Sequence, residues 1–421
     1  MVSSFSLITI LIMSYKTNNP QTAIRIISIT IFTLILLTLT PCSSQPLWVS
    51  TWSTSQQLVE PHNNPPAPGL TGNTLRQVVR VSIGGNVMRM RFSNEFSKSP
   101  VTMKRVTIAA SAGGSAIVTS TMKELKFGGK TEATMNPGVA VTCDSLAFDL
   151  KPRMDVAVTI SFGETSPDVT GHPGSRTTSY ILTGDKYSEK DFAGAVPTDH
   201  WYAISGIDVM APVNAAAVVT LGNSITDGRG SGTNKQNRWP DILSEQLLKN
   251  PDTKNIGVLN AGIGGNCVLR QCLGPSALDR FERDVLNQSG VRWLIIFEGV
   301  NDIGGVRSND RASQVADDLI AAYEKMITLA HAKNIKVFGG TILPFKGNGY
   351  YNEYSDQCRN TVNEWIRTGG KFDAVIDFDA ALRDPQDHAK LGVSTYQNDG
   401  LHLDEAGYKK MGELIDLKLF K

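Results

Sequence analysis

Four short stretches of this chain carry side chains that could move a proton or polarise a carbonyl. The first is Val218-Val219-Thr220-Leu221-Gly222-Asn223-Ser224-Ile225-Thr226-Asp227-Gly228. It opens as an apolar run suited to a buried parallel strand, then breaks into small and polar residues edged by glycine. Open α/β sheets meet their ligands at the carboxyl ends of strands, and Ser224 is the side chain offered there. A serine hydroxyl is a weak nucleophile until a base takes its proton. The last stretch, Asn398-Asp399-Gly400-Leu401-His402-Leu403, holds a candidate base. Asp399 and His402 are three apart, so one turn can set the carboxylate beside the imidazole. Of the six histidines, His62, His172 and His200 lie in β-like text, His331 ends a long amphipathic segment and His388 sits in a charged loop. His402 alone has a carboxylate at that spacing.

Two stretches lie between. Asn260-Ala261-Gly262-Ile263-Gly264-Gly265-Asn266 follows a second apolar run, and its glycines let backbone N–H groups approach a ligand closely. Glu298-Gly299-Val300-Asn301-Asp302 puts a polar cluster after a third. Each stretch alone reads equally well as a tight turn; their joint occurrence carries the argument. The nucleophile elbow Gly-x-Ser-x-Gly is not met, because Thr226 stands at its second glycine. That argues against an ordinary α/β-hydrolase.

The elements that must position these stretches follow from the change of period near residue 215. From there, strand-like runs at 217–221, 256–259, 293–297, 335–339 and 374–376 alternate with helix-like ones near 239–248, 276–286, 312–332, 356–367 and 405–417. This alternation predicts a parallel sheet with crossover helices, a doubly wound, flavodoxin-like three-layer α/β domain over 213–421. Residues 46–212 are β-like instead. Val79, Val81 and Ile83 alternate, Gly84-Gly85-Asn86 signals a hairpin, and Met88, Met90 and Phe92 alternate against Arg89 and Arg91. Val156, Val158, Ile160 and Phe162 mark a further strand. An antiparallel, jelly-roll-like β-sandwich is expected, to bind glycan, to shape the rim of the site or to support the second domain.

The chain has 421 residues, 41% hydrophobic and 19% charged, with a net charge of +1. That is globular composition, and no global field recruits nucleic acid. Residues 1–45 read as an export signal. Lys16 and Arg25 precede an apolar run from Ile26 to Leu39, shorter than the roughly 20 residues of a membrane span. Small residues follow it. Met13 is a candidate start and Cys42 a candidate lipid-attachment site, though Pro41 fits such a site poorly. No stable membrane span is expected in the mature protein, which would be secreted or periplasmic. Of the remaining cysteines, Cys267 and Cys272 are the expected bridge, given their closeness and export. There is no Cys-x-x-Cys pair and the histidines are scattered, so no metal site is expected.

Together the four stretches resemble the SGNH (GDSL-like) hydrolase superfamily over roughly residues 215–421. The stretch from Pro46 is similar to the β-rich N-terminal part of a larger bacterial branch, in which arginine, tryptophan and proline follow the serine block, here Arg238-Trp239-Pro240. One departure is Asn223, where the usual block has aspartate. The resemblance implies a serine esterase without cofactor. Ser224 would be the nucleophile, His402 the base and Asp399 its orienting acid. The oxyanion donors would be the Ser224 N–H, the Gly265 N–H (with Gly264 as the alternative) and the Asn301 amide. A short-chain, acetyl ester on a carbohydrate is the expected substrate, small or polymeric. The rim loop Phe345-Lys346-Gly347-Asn348-Gly349-Tyr350-Tyr351 is aromatic and polar, suited to sugar. The alternatives are a lysophospholipase, lipase or thioesterase, and a catalytically silent glycan-binding protein.

Overall fold

Strand pairing changes character at the point where the sequence period does. Antiparallel pairing runs up to the strand Ile204–Ala211, and parallel pairing begins with Ala216–Gly222. A computed structural model describes residues 47–392 and 399–421. The expected export segment, with Met13 and Cys42, and Asn398 of the last stretch lie outside the described residues.

The parallel strands are Ala216–Gly222, Ile256–Gly262, Val291–Phe297, Lys336–Gly340 and Ala374–Ile376, in the spatial order 2-1-3-4-5. Every residue of Ala216–Gly222 is buried, so this strand is covered on both faces, which is why it reads as an unbroken apolar run. Its neighbours on either side are the second and third strands, which brings three of the four stretches to one edge of the sheet. The long helix Asn309–His331 buries Val315, Leu319, Ala322, Tyr323 and Met326 on one face, the spacing of an amphipathic helix. Ser308 Oγ caps its start, accepting from the Arg311 N–H. The single helix expected over 276–286 divides into Ala277–Phe281 and a wider π-type turn, Glu282–Leu286. Val300–Ile303 and Phe378–Leu382 are further short helices. At four or five residues they are too brief to show a helical period.

In the β-rich part, Val79, Val81, Ile83, Met88, Met90 and Phe92 are all buried, as their alternation predicts. The expected hairpin at Gly84-Gly85-Asn86 does not form. Thr74–Arg80 pairs with Asp155–Phe162 and Ser179–Leu182, whereas Gly85–Asn94 pairs with strands of another sheet, Ile204–Ala211 among them. The two glycines carry the chain from one sheet to the other. A Cβ on Gly84 would run into the Leu150 carbonyl, and one on Gly85 would lie 2.9 Å from Val209 Cβ. Glycine is needed here for close approach, not for a hairpin turn.

The described residues pack as one compact unit. The Ser50 N–H donates to the Ser289 carbonyl at 2.9 Å, and the Val258 N–H donates to Ser82 Oγ at 3.0 Å. Asp208, fully buried, accepts from Arg89, Arg91, Ser50 and Ser289, the last from the α/β part. Among the described residues, no helix is long and apolar enough to cross a membrane, and no group of three or more His, Cys, Asp or Glu could hold a metal ion.

Candidate active site

Ser224 is the first residue of a one-turn helix, Ser224–Asp227, at the carboxyl end of the strand Ala216–Gly222. Asn223 caps that turn, its side-chain oxygen accepting from the Ile225 N–H at 3.0 Å. The cap therefore supplies local order while the Ser224 hydroxyl stays uncommitted to the backbone. An asparagine side chain is sufficient for this, so the departure from aspartate leaves the turn intact. Asn223 also neighbours the buried Glu298, whose pKa burial raises well above the carboxylate range despite the nearby Arg280 charge.

The Ser224 hydroxyl lies 2.8 Å from His402 Nε2, and His402 Nδ1 lies 2.6 Å from Asp399 Oδ2. The other carboxylate oxygen, Oδ1, accepts from the Leu401 and His402 N–H groups, each at 2.9 Å. These two bonds fold Asp399–His402 into the single turn that the three-residue spacing allows. Burial would raise the Asp399 pKa, but the bonds from His402 and the two N–H groups hold it below its ordinary value. His402 is pulled the other way. Its burial lowers the pKa, Asp399 opposes this, and the charges of Arg229 and Arg176 add to the lowering. A neutral ring that donates from Nδ1 must accept at Nε2, so the serine O–H donates to it.

The glycine stretch and Asn301 face the same cleft, a space of about 520 Å³. Gly265 has φ +68°, in the left-handed region that favours glycine, and a Cβ there would lie 2.8 Å from Leu273 Cδ1. Neither the Gly264 nor the Gly265 N–H donates to a protein acceptor among the described residues, and both glycines line the cleft. Asn301 Nδ2 donates to the Asn266 carbonyl at 2.7 Å, and its Oδ1 accepts from Tyr350 O–H at 3.0 Å. These two partners fix which way the amide faces and leave one N–H of Nδ2 unspent. Cys267 and Cys272 are joined in a disulfide, as expected from their spacing. Asp302 steadies the disulfide-closed loop by accepting from the Val268 and Leu269 N–H groups.

Beyond the candidate triad and oxyanion donors, further residues shape the cleft. Tyr350 belongs to the loop expected to form a sugar-facing rim; it reaches the cleft, while Phe345 of the same loop is fully buried. Asn348 Nδ2 braces the Asp399 carbonyl at 2.9 Å. Asp227, on the serine turn, is buried between His172 Nε2 at 2.9 Å and Arg176 at 3.1 Å. A Cβ at Gly174 would strike its carboxylate. His172 thus has a carboxylate partner after all, one 55 residues away in sequence. A signal did exist, since Asp227 is three residues past Ser224 on a helical turn. Glu60, His62, Arg176 and His200 also line the cleft, so the β-rich part forms one of its walls. Arg280, fully buried, ties the stretches together: it donates to the carbonyls of Gly222 and Ala261, to Asn266 Oδ1 and to Ser55 Oγ.

A strand-edge serine hydrogen-bonded to a carboxylate-held imidazole, with an oriented amide in the same cleft, is an arrangement that can carry out serine acyl transfer. Residues 220–410 match the model of the GDSL-like lipase/acylhydrolase family, which marks this part of the chain as a domain of the SGNH (GDSL-like) hydrolase superfamily. Solved structures similar to this chain include a GDSL-like lipase from Bacteroides thetaiotaomicron VPI-5482, 23% identical over 47% of this chain and 84% of that one, with a TM-score of 0.34. The acetyl xylan esterase AlAXEase is 22% identical over 47% and 96%, with a TM-score of 0.35. A carbohydrate acetylesterase from Sinorhizobium meliloti is 14% identical over 49% and 98%, with a TM-score of 0.37. No curated protein matches the chain.

Proposed function

We propose that this chain is a serine ester hydrolase that releases a short acyl group, acetate foremost, from a carbohydrate hydroxyl. The observation that carries the reading is the unbroken relay from Asp399 through His402 to Ser224 at a cleft that Asn301 also faces. Ser224 Oγ attacks the ester carbonyl carbon as its proton passes to His402 Nε2. Asp399 keeps the ring in place and stabilises the imidazolium without taking the proton. The carbonyl oxygen becomes an oxyanion held by the N–H groups of Ser224 and Gly265 and by the unspent N–H of Asn301. His402 returns the proton to the alcohol oxygen as the C–O bond breaks. Water then repeats the cycle on the acyl-enzyme, giving the free acid and Ser224 O–H. In the same proposal the strand order supports a flavodoxin-like three-layer arrangement, and the antiparallel pairing supports a jelly-roll-like sandwich. It includes export, because polysaccharides are met outside the cytoplasm.

The protonation of His402 sets the pH dependence. A neutral ring can act as base and a protonated one cannot. kcat/KM is therefore expected to fall as pH drops through the His402 pKa, which lies below the ordinary 6.5, and to stay flat up to about pH 8. A pH profile whose acid limb sits above 7 would contradict this assignment.

Chain-length dependence tests the acyl group. Each buried methylene contributes roughly 0.8 kcal/mol, so a lipid enzyme gains kcat/KM steeply from acetyl to octanoyl esters. Here kcat/KM is expected to drop along that series, and acetylated xylan is expected to release acetate. Faster cleavage of octanoyl esters, with no acetate from xylan, would replace the carbohydrate reading with the lipid one.

A further inference from the structure

The cleft carries two guanidinium groups that the proposed chemistry does not use. Arg229 follows the serine turn. Its N–H donates to the Ser224 carbonyl at 2.9 Å, and its own carbonyl accepts from Tyr408 O–H at 2.6 Å, so its backbone is pinned beside the nucleophile. Its side chain is exposed and makes no hydrogen bond or ion pair among the described residues. Arg176 comes from the β-rich wall. One of its nitrogens is held by Asp227 at 3.1 Å, while its buried Nε has no hydrogen-bond partner. The two loops are stapled together: the Asn234 N–H donates to the Arg176 carbonyl at 2.9 Å, and the Thr178 N–H donates to Asn234 Oδ1 at 2.8 Å.

The anionic groups of the cleft are engaged elsewhere. Asp227 is buried against His172 and Arg176, Asp399 is bound to His402, and Glu60 accepts from the side-chain amides of Gln57 and Asn63. Among the charged side chains that line the cleft, Arg229 is the one left with no hydrogen-bond or ion-pair partner among the described residues. Leu273 over Gly265, and Tyr350 beside Asn301, close the oxyanion end. In the proposed mechanism the leaving oxygen must lie at His402 Nε2 to receive its proton, and Arg176 and Arg229 line the cleft that His402 faces.

Resting on the ester-hydrolase reading above, we propose that Arg176 and Arg229 form an anion subsite for the carboxylate of an acidic sugar, so that the favoured substrate is an acylated uronate rather than a neutral glycoside. A guanidinium presents its N–H donors as a planar fork that matches a carboxylate. Asp227 fixes the Arg176 fork, and Arg229, with no partner to leave, closes on the bound group.

The test compares the purified full chain on an acetylated methyl glucuronoside and on the methyl glucoside acetylated at the same position. The acidic substrate is expected to be favoured about tenfold in kcat/KM, mainly through KM, as befits one charge-assisted contact in a partly exposed site. Salt at about 0.5 M screens the attraction, so the ratio should fall toward one. Arg229→Gln should lower the acidic-to-neutral ratio at least about fivefold, and Arg229→Lys should keep part of it, since the charge stays while the fork is lost. Arg176→Gln should act in the same direction; melting temperature is measured alongside, because this arginine also holds Asp227. A wild-type ratio at or below one overturns the subsite, as does an Arg229→Gln variant that slows both substrates equally. Acetyl glycerol phosphate serves as a third substrate, and a higher kcat/KM on it than on the uronate overturns the sugar assignment. Acetate release from both sugars without preference refutes the subsite alone. Release from no acetyl ester refutes the hydrolase reading and the subsite with it.

Discussion

Replacing Ser224 by alanine is expected to lower kcat for acetyl esters by at least about 10⁴-fold while leaving the fold in place. The expected loss is this large because, in the proposed mechanism, no other group in the cleft can form the acyl bond. His402 and Asp399 act only through the serine oxygen, so their contributions vanish with it. What survives is the stabilisation that an oxyanion site gives to attack by water. The fold should tolerate the change for a local reason. Asn223, not Ser224, caps the turn, and the serine side chain bonds to no backbone group. A melting temperature within a few degrees of wild type is therefore expected. The comparison also disposes of the silent glycan-binding alternative, for which the wild type and the variant would be equally inert. Turnover in the variant near the wild-type rate would end the assignment of Ser224 as nucleophile.

The second large effect is expected at Asn301. Removing its amide should lower kcat by about 100- to 1,000-fold, the usual cost of one oxyanion donor, with a much smaller change in KM. The bond strengthens as charge develops on the oxygen, so its loss is felt at the transition state. The surroundings of Asn301 refine the prediction. Its Oδ1 accepts from Tyr350 and its Nδ2 donates to the Asn266 carbonyl, and together these aim the remaining N–H. Tyr350→Phe keeps the ring and removes only the hydroxyl. It should lower kcat by a smaller factor, about 3- to 10-fold, through a less well-held amide. In the Asn301→Ala background the same change should have almost no effect on kcat, because the amide it positions is gone. A raised KM with unchanged kcat in Asn301→Ala would recast the residue as a binding group.

Local residue patterns carried the reading a long way, for physical reasons. An unbroken apolar run such as 217–221 marks a strand covered on both faces, and small polar residues must follow where it leaves the sheet. The Asp399–His402 spacing needs only one turn, which two backbone N–H groups close on the carboxylate. Cys267 and Cys272 are close enough in the chain that, with export expected, their bridge could be read from the sequence. These features are short-range, so neighbouring residues determine them.

Tertiary structure decided whatever joins residues far apart. The turn signal at Gly84-Gly85-Asn86 is the same for a hairpin as for a crossing between sheets. The choice was made by the Leu150 carbonyl and Val209, which no local pattern reveals. His172 read as a lone histidine of the β-rich half, yet folding sets it against Asp227 on the serine turn. Arg280 showed no sign of its role until four distant acceptors, from Ser55 to Asn266, converged on its buried guanidinium. By itself the sequence determined the strand that carries Ser224, the turn that carries Asp399 and His402, and the order of the four stretches. The tertiary structure decided how those stretches meet across one sheet edge and that the β-rich part supplies a wall of the cleft. A contact between groups tens to hundreds of residues apart depends on the packing of the whole chain and leaves no period in the local sequence.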